Sequence, residues 1–304
     1  MNKSIRIGTR KSELAQWQAN LVKSQLKELG VESHLVLIES EGDQDLIKPL
    51  YEMGVTGIFT RILDTALLND KIDLAVHSMK DVPVVLPQGI LEYAVLERGQ
   101  SLDILVMNEA NLKAKKIATS SLRRKAQWLN KYPDFTIEEI RGNVNTRLQK
   151  VKDNNWLGAI FAKAGLERIN ILPENYEVLD WMIPAPGQGA IMVVGKSENK
   201  ELSNLVGQLN HINTANCVKI ERQILRNLEG GCTAPIAAIV EKMDATFKVK
   251  AGVYSLCGQR KVEIEEYFPL DKGELVAEIV SDLLRQNGGG QIIQEIKAFT
   301  NRAK

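Results

Sequence analysis

The sequence SIRIGTRKSELAQWQANLVKSQLKELG, residues 4–30, indicates the fold class. Ser4 to Thr9 is a short run that predicts a β-strand, and apolar residues from Leu14 to Leu29 then recur at helical spacing until Gly30 ends the helix. Short β-branched runs and helical segments go on alternating through the first two thirds of the chain. This alternation is typical of α/β architecture with largely parallel sheets.

The alternation changes at two places, and these places suggest the domain organisation. A second α/β unit begins after the polar stretch 97–101, and the segment IPAPGQGA at 183–190 interrupts the pattern, as a crossing between domains often does. The last third has a long predicted helix, three successive strands and two helices, which is typical of a small α+β domain. We therefore predict a discontinuous first domain of residues 1–95 and 191–210, a second of 96–190 and a third of 211–304.

Composition excludes several classes of protein. The 304 residues contain 39 Lys or Arg against 38 Asp or Glu, a net charge of +1, which argues against a dedicated nucleic-acid binder and against an acidic disordered chain. The three cysteines form no CxxC pair, and the three histidines show no metal-ligand spacing, so neither a disulfide framework nor a metal cofactor is indicated. With no signal segment and no long apolar run in the sequence, we expect a soluble cytoplasmic protein.

Positive charge is nevertheless concentrated in one stretch. Residues 112–168 contain 13 Lys or Arg against five Asp or Glu. Within this stretch, Ser120 to Arg124, Arg141 to Arg147, and Arg168 each follow a predicted strand. Carboxyl ends of neighbouring parallel strands share one sheet edge, where helix N-termini and guanidinium groups bind carboxylates or phosphates. The pattern predicts a cleft for a small polyanion, with an ordinary solvated basic face as the alternative.

Three further segments carry candidate chemistry. Ser12 follows the first strand as a helix cap or a ligand contact, and both roles are compatible. Lys80 and Asp81 lie in HSMKDVP, a turn at the end of a strand, where the carboxylate can hold a cationic intermediate or exchange protons, unless the turn carries only an ordinary ion pair. Cys232 lies between glycines and a strand in EGGCTAP, which favours a reactive or modified thiol, whereas we interpret Cys217 and Cys257 as structural.

Taken together, seven segments resemble one family, hydroxymethylbilane synthase, also called porphobilinogen deaminase. They occur in the family's order and spacing: IGTRKSELAQWQA (7–19), AVHSMKDVP (75–83), ATSSLRRKAQ (118–127), IRGNVNTRLQK (140–150), AKAGLERI (162–169), PAPGQGAI (184–191) and LEGGCTAPIAA (228–238). The resemblance implies two domains like the halves of a type II periplasmic binding protein around a cleft, followed by a small third domain. It also implies a cytoplasmic, monomeric transferase with no nucleic-acid or membrane partner.

The resemblance further implies the chemistry of tetrapyrrole and haem biosynthesis. A dipyrromethane cofactor is joined to Cys232 by a thioether and serves as a primer for four porphobilinogens, each of which loses ammonia, before hydrolysis releases hydroxymethylbilane. Asp81 then stabilises the positive azafulvene-type intermediate. The implied catalytic residues are Asp81, Lys80, Arg10, Arg141 and Arg147. Cofactor binding is implied for Cys232, Ser12, Lys80, Asp81, Ser121, Arg123, Arg124 and Gly142, and substrate binding for Arg10, Phe59, Arg141, Arg147, Arg168 and Gln188.

Some positions depart from the family pattern, and two other functions compete. Val55 and Thr56 stand where the family has Gly and Lys, and Ile62 stands at a usually acidic position. A solute receptor without chemistry would also have two lobes around an anion cleft, but it gives no reason for Cys232 between glycines. A nucleotide-dependent enzyme is disfavoured because the sequence has no GxxxxGK[ST] and no GxGxxG motif.

Overall fold

The computed structural model describes residues 4–38, 58–228 and 234–302, with the backbone alone described at 58, 59 and 299–302. The strands of this part of the chain form three sheets. They are β1 (Ile5–Thr9), β2 (Ser33–Leu37), β3 (Leu74–Ser78), β4 (Ile90–Val95), β5 (Asp103–Met107), β6 (Lys116–Ala118), β7 (Thr136–Glu138), β8 (Gly158–Ala162), β9 (Tyr176–Val178), β10 (Ile191–Lys196), β11 (Ile236–Lys242), β12 (Thr246–Tyr254) and β13 (Lys261–Pro269).

Helices cover the sheets and close the chain. They are α1 (Glu13–Glu28), α2 (Ile58–Leu68), α3 (Leu122–Lys131), α4 (Val144–Asp153), α5 (Lys163–Glu167), α6 (Lys200–Val206), α7 (Ile212–Asn227), α8 (Gly273–Leu284) and α9 (Gly290–Arg302). No helix of the described ranges combines the length and the apolar character needed to cross a membrane.

The first sheet has the order β2-β1-β3-β10-β4. β1 runs parallel to β2 and β3, whereas β10 runs antiparallel to β3 and β4. Buried Ile7, Val22 and Leu26 join this sheet to α1, whose apolar residues recur on one helical face as predicted. The expectation of largely parallel sheets is therefore correct for only half of the pairings, because β10 returns from the second sheet instead of following a helix laid on its own sheet.

The second sheet repeats this plan with the order β7-β6-β8-β5-β9. β6 runs parallel to β7 and β8, while β5 is antiparallel to β8 and β9. Ser121 caps α3 by accepting from the Arg124 N–H at 3.4 Å, and Asn143 caps α4 by accepting from the Thr146 N–H at 2.9 Å. The helix starts therefore lie directly after the parallel strands.

The third sheet is antiparallel in the order β11-β12-β13. Its core contains Ile224, Val249 and Val280, contributed by α7, β12 and α8. The prediction of consecutive strands followed by helices is confirmed, and with it the α/β class with a small C-terminal α+β unit.

Two crossing segments, residues 96–102 and 179–190, connect the first and second sheets and lie against each other. The Gly99 N–H donates to the Gly189 carbonyl at 3.0 Å, and the Gln188 amide donates to the Ser101 carbonyl at 2.6 Å. Gly189 has a φ of +85°, and a Cβ there would lie 2.8 Å from the Gly99 oxygen. Only glycine fits where the crossing segments meet.

A single carboxylate fixes the third unit to this junction. Glu221 on α7 is fully buried and accepts from Arg98 at 2.6 Å, from the Gly187 N–H at 2.7 Å and from the Val240 N–H at 2.9 Å. It thereby joins both crossing segments to α7 and β11. The charge of Arg98 and the backbone donors satisfy the buried carboxylate.

Candidate active site

The basic segments that follow β6, β7 and β8 are brought to one sheet edge. Because these three strands run parallel, Arg124, Arg141 and Arg168 all lie beyond their carboxyl ends. Arg147 lies within electrostatic reach of several of these charges. Burial lowers the pKa of Arg147 to about 10, with further lowering by the charges of Arg124, Arg141 and Arg10, while Asp81 raises it.

Each of the first two sheets, with its helices, forms one lobe. Asp81 and Arg10 belong to the first lobe and Arg147 to the second, so the charges acting on Arg147 come from both lobes. Asp81 ends a short 3-10 turn, Met79–Asp81, directly after β3. Arg10 follows β1, the strand beside β3. The structure thus brings a carboxylate from one lobe to a group of guanidinium ions drawn mainly from the other.

Lys80 lies in the same turn and is half-buried. Its ammonium group donates to the Gln188 side-chain oxygen at 3.4 Å. Burial and the charge of Arg124 lower the pKa of Lys80 to about 8, although Asp81 and Asp103 act in the opposite direction. Lys80 is therefore a cation that can lose its proton close to neutral pH.

Arg222 on α7 binds the backbone of this turn through hydrogen bonds. Its guanidinium donates to the carbonyls of Met79 at 3.3 Å, Val82 at 3.0 Å and Pro83 at 2.7 Å. Arg222 is 9% exposed. The helix that precedes the cysteine segment thus also fixes the backbone around Asp81, a contact that the sequence analysis did not predict.

Arg123 and Arg124 are buried and share one carboxylate, Asp103 at the start of β5. Asp103 accepts from Arg123 at 2.7 Å and from Arg124 at 2.7 and 3.1 Å. The arginines also donate to the carbonyls of Ile183 and Ile160. Asp103 was missed by the sequence analysis because it lies outside the basic stretch, although an acid beginning a buried strand is a signal that could have found it.

Arg168 and Gln188 lie at the junction of the crossing segments. Arg168 donates to the Gly189 carbonyl at 2.6 Å and stacks over the Trp17 ring at 5.5 Å, and burial lowers its pKa to about 10. Gln188 is fully buried and links Lys80, Ser101 and Asp103. Their predicted contacts with substrate stay predictions.

Several predicted site residues have local structural contacts. Ser12 caps α1 by accepting from the Ala15 N–H at 3.4 Å, and Ser121 is the cap of α3. Gly142 has a φ of +112°, and its carbonyl accepts from Arg147 at 2.8 Å. These contacts hold the loops in place, and ligand contacts by these residues remain predictions.

The remaining predictions concern the segment 55–59 and the three cysteines. Cys232, Val55, Thr56 and the side chain of Phe59 lie outside the described residues. Cys217 is buried, which raises its pKa to about 11 and fits its interpretation as structural. The interpretation of Cys257 as a buried structural cysteine is wrong, because Cys257 is exposed at the turn between β12 and β13.

Comparison with known proteins identifies the family. The model described as "Porphobilinogen deaminase, dipyromethane cofactor binding domain" matches residues 5–204, and that of the porphobilinogen deaminase C-terminal domain matches 215–285. A porphobilinogen deaminase of Geotalea uraniireducens is 39% identical, with 97% of this chain and 95% of the relative aligned. One of Moorella thermoacetica is 40% identical, with 98% of each aligned.

A solved structure, a putative L-cystine ABC transporter from Listeria monocytogenes, aligns with 68% of this chain and 88% of its own at 16% identity and a TM-score of 0.40. The fold class therefore rests on the sheet order described above and not on this similarity. The two family models cover most of the chain, and relatives of the same family align with nearly all of it. The chain belongs to the porphobilinogen deaminase family.

Proposed function

We propose that the chain is a hydroxymethylbilane synthase, a transferase that joins four porphobilinogens head to tail on a covalently bound dipyrromethane. The observation that carries the proposal is the position of Asp81, beside Lys80 on the turn after β3 and within electrostatic reach of Arg147, which also lies within reach of Arg10. A carboxylate beside several cations suits a reaction in which a polyanionic substrate passes through a positive intermediate. The family membership of the whole chain supports the same activity.

The described residues fit a dipyrromethane, whose acetate and propionate groups are anionic. The Nε–H of Arg123 is buried and has no acceptor among the described residues, so a ligand carboxylate would satisfy it. Arg124 and Lys80, close by, supply further charged donors. When bound through Cys232, the dipyrromethane supplies the pyrrole ring to which the first substrate unit is attached.

Asp81 has the central role in the proposed reaction. Each porphobilinogen loses its aminomethyl nitrogen as ammonia and becomes a cation delocalised over its pyrrole ring. A carbon–carbon bond then forms to the terminal ring of the chain, which gives up its ring proton. We assign to the Asp81 carboxylate the stabilisation of this cation and the acceptance of a hydrogen bond from its pyrrole N–H. After four such steps, the carbon–carbon bond between the dipyrromethane and the first substrate unit would break, with the hydroxyl of water joining the methylene carbon of the released hydroxymethylbilane and a proton returning to the ring carbon of the dipyrromethane.

The basic residues have the complementary role of binding carboxylates. Each added unit brings one acetate and one propionate, so negative charge accumulates in the cleft. Arg10, Arg141 and Arg147 are assigned to these carboxylates because their guanidinium groups form planar, bidentate donors. Arg168 stands at the edge of this group, next to the junction of the crossing segments.

The cellular form of the enzyme is part of the same proposal. The family resemblance supports a monomer in the cytoplasm. The near-neutral net charge of +1 supports the absence of nucleic-acid binding. The three sheets support the division into 1–95 with 191–210, 96–190 and 211–304. Light scattering after size exclusion should give a mass close to 33.9 kDa.

Intact mass measurement and a rate assay test the function together. Protein from cells that make tetrapyrroles should be heavier than its sequence by one dipyrromethane, and Cys232→Ser should lose this mass while the control Cys257→Ser keeps it. Asp81→Asn should retain the added mass but consume porphobilinogen about 10² to 10³ times more slowly. Wild-type protein without the added mass would favour a solute receptor. Near-wild-type turnover by Asp81→Asn would favour a mechanism that does not depend on Asp81.

A further inference from the structure

Asp103 holds a position in the active site that the proposed reaction does not explain. It begins β5 immediately after a crossing segment and is fully buried. Its Oδ2 accepts from Arg123 at 2.7 Å, and its Oδ1 accepts from Arg124 at 2.7 and 3.1 Å and from Gln188 at 2.9 Å. Two guanidinium groups and one amide therefore converge on one carboxylate.

These bonds fix the orientation of both arginines. The Asp103 contact and a second acceptor, the Ile183 carbonyl for Arg123 and the Ile160 carbonyl for Arg124, hold each guanidinium plane at two points. A free arginine would have to lose rotamer freedom when it binds a carboxylate, whereas an arginine already held in place does not. The donors that Asp103 leaves unused are thus preorganised for a ligand.

The same carboxylate reaches the other lobe through Gln188. The Gln188 amide nitrogen donates to Asp103, and its oxygen accepts from the Lys80 ammonium at 3.4 Å. Since Gln188 lies on one crossing segment and Asp103 follows the other, the network spans the place where the lobes are joined. Asp103 therefore affects Lys80 in two ways: through the hydrogen bonds of Gln188 and through its negative charge.

Electrostatics keeps Asp103 ionised in this position. Burial raises the pKa of its carboxyl, but the charges of Arg123, Arg124 and Lys80 outweigh burial and leave the pKa well below its ordinary value. In return, the Asp103 charge raises the pKa of Lys80 against the effects of burial and Arg124. Removal of this charge would make Lys80 lose its proton at lower pH.

We propose that Asp103 is a positioning residue that holds Arg123 and Arg124 for the carboxylates of the dipyrromethane and, through Gln188, sets Lys80 across the cleft. Asp103 is fully buried, so it acts through these three side chains and not by touching substrate. The inference rests on the proposed function, because it assigns Asp103 to the binding of that cofactor and substrate.

The test compares Asp103→Asn with Asp73→Asn, which makes the same change in an ion pair at 2.7 Å with Arg6 in the first lobe. Intact mass gives the fraction carrying dipyrromethane, and kcat/KM for porphobilinogen is followed against pH. For Asp103→Asn we expect a larger unloaded fraction, kcat/KM reduced about tenfold to hundredfold in the loaded enzyme, and an alkaline limb moved to lower pH. Asp73→Asn should match the wild type in all three measurements.

A second variant keeps the proposal testable if Asp103→Asn does not fold. Gln188→Met leaves both arginines on Asp103 but breaks the bridge to Lys80, so its alkaline limb should move while loading with dipyrromethane persists. If the alkaline limb of kcat/KM in Gln188→Met lies at the same pH as in the wild type, the connection from Asp103 through Gln188 to Lys80 is refuted. The proposal would be overturned if the wild type is active but Asp103→Asn matches Asp73→Asn both in the fraction that carries dipyrromethane and in the dependence of kcat/KM on pH. A wild type that makes no hydroxymethylbilane would instead refute the proposed function.

Discussion

Lys80 illustrates how one side chain is tuned by groups from several parts of the chain. Burial and Arg124 favour its neutral form, while Asp81 and Asp103 favour the ammonium ion. The balance leaves the pKa of Lys80 at about 8, within reach of ordinary assay conditions. A residue that binds carboxylates only as a cation then makes activity depend on pH.

The expected pH profile follows from the sign of this shift. Lys80 has a pKa of about 8 before any carboxylate binds, and the carboxylates of the bound dipyrromethane stabilise its ammonium ion, so kcat/KM for porphobilinogen should fall about tenfold per pH unit on the alkaline side of a limb that lies above pH 8. Bound carboxylates stabilise the ammonium ion, and the corresponding limb in kcat should therefore lie at higher pH. Lys80→Arg should move the limb of kcat/KM upward, and a wild-type profile that is flat through pH 9.5 would contradict the assignment.

At the same scale, the sequence predicts some site residues and misses others for a physical reason. Arg10, Lys80, Asp81 and Arg147 are marked by their positions after strands, because parallel strands direct their carboxyl ends to one edge. Asp103 and Arg222 carry no such mark. They reach the site from the start of β5 and from a helix of the third unit. A count of charges within one stretch of sequence does not include an acid that the fold brings in from outside that stretch.

Among the elements, α7 connects the Met79–Asp81 turn to the third unit. Glu221 on α7 binds the crossing segments, and its neighbour Arg222 binds the carbonyls around the Met79–Asp81 turn. The segment that contains Cys232 follows the same helix. Rigid placement of α7 should therefore set the position of Asp81 relative to the third unit.

Arg222→Lys tests this role, because lysine keeps the charge but lacks the planar fork that reaches three carbonyls. The Met79 carbonyl would still accept from the Val82 N–H, but the buried Val82 carbonyl would lose its guanidinium donor, at a cost of about 1–3 kcal/mol. We expect kcat to fall roughly tenfold or more, together with faster hydrogen exchange in residues 79–83. Arg226→Lys, at an exposed position of the same helix, is the matched control. Equal kcat and exchange in the two variants would refute the role of Arg222.

The predicted elements agree with the structure where local pattern dominates: the sequence pattern predicts strands at 158–162 and 246–254, and β8 and β12 have these bounds. The strand predicted at Phe135 to Ile140 is shorter, Thr136–Glu138, because the Ile140 N–H and carbonyl both bond to the Ser120 hydroxyl instead of a neighbouring strand. β9 and α6 were not predicted. Each is short, and its place in the fold depends on tertiary partners that sequence periodicity does not contain.

On the scale of the whole molecule, the junction of the two crossing segments determines how the lobes stand relative to each other. Gly189 is central to it, since its carbonyl accepts from both Gly99 and Arg168. The sequence identifies the glycine-rich segment as a break in the α/β pattern. It does not show that this break packs against a second crossing segment, because the two are distant in the chain and meet only after both sheets have formed.

Gly189→Ala should therefore disturb the whole molecule more than an ordinary change of glycine with positive φ. The new Cβ would lie 2.8 Å from the Gly99 oxygen and 2.9 Å from the Gln100 oxygen, and these backbone atoms cannot rotate away. Gly30→Ala is the matched control, because Gly30 has a similar φ of +76° but open space around its Cβ position.

We expect Gly30→Ala to cost about 1 kcal/mol of unfolding free energy and to leave turnover unchanged. Gly189→Ala should cost at least about 2 kcal/mol more and reduce turnover, because it separates the segments that join Arg124 to Lys80. Urea unfolding followed by far-UV circular dichroism, with porphobilinogen consumption measured on the same samples, distinguishes the two variants. Equal losses of stability in both would mean that the crossing segments do not set the arrangement of the lobes.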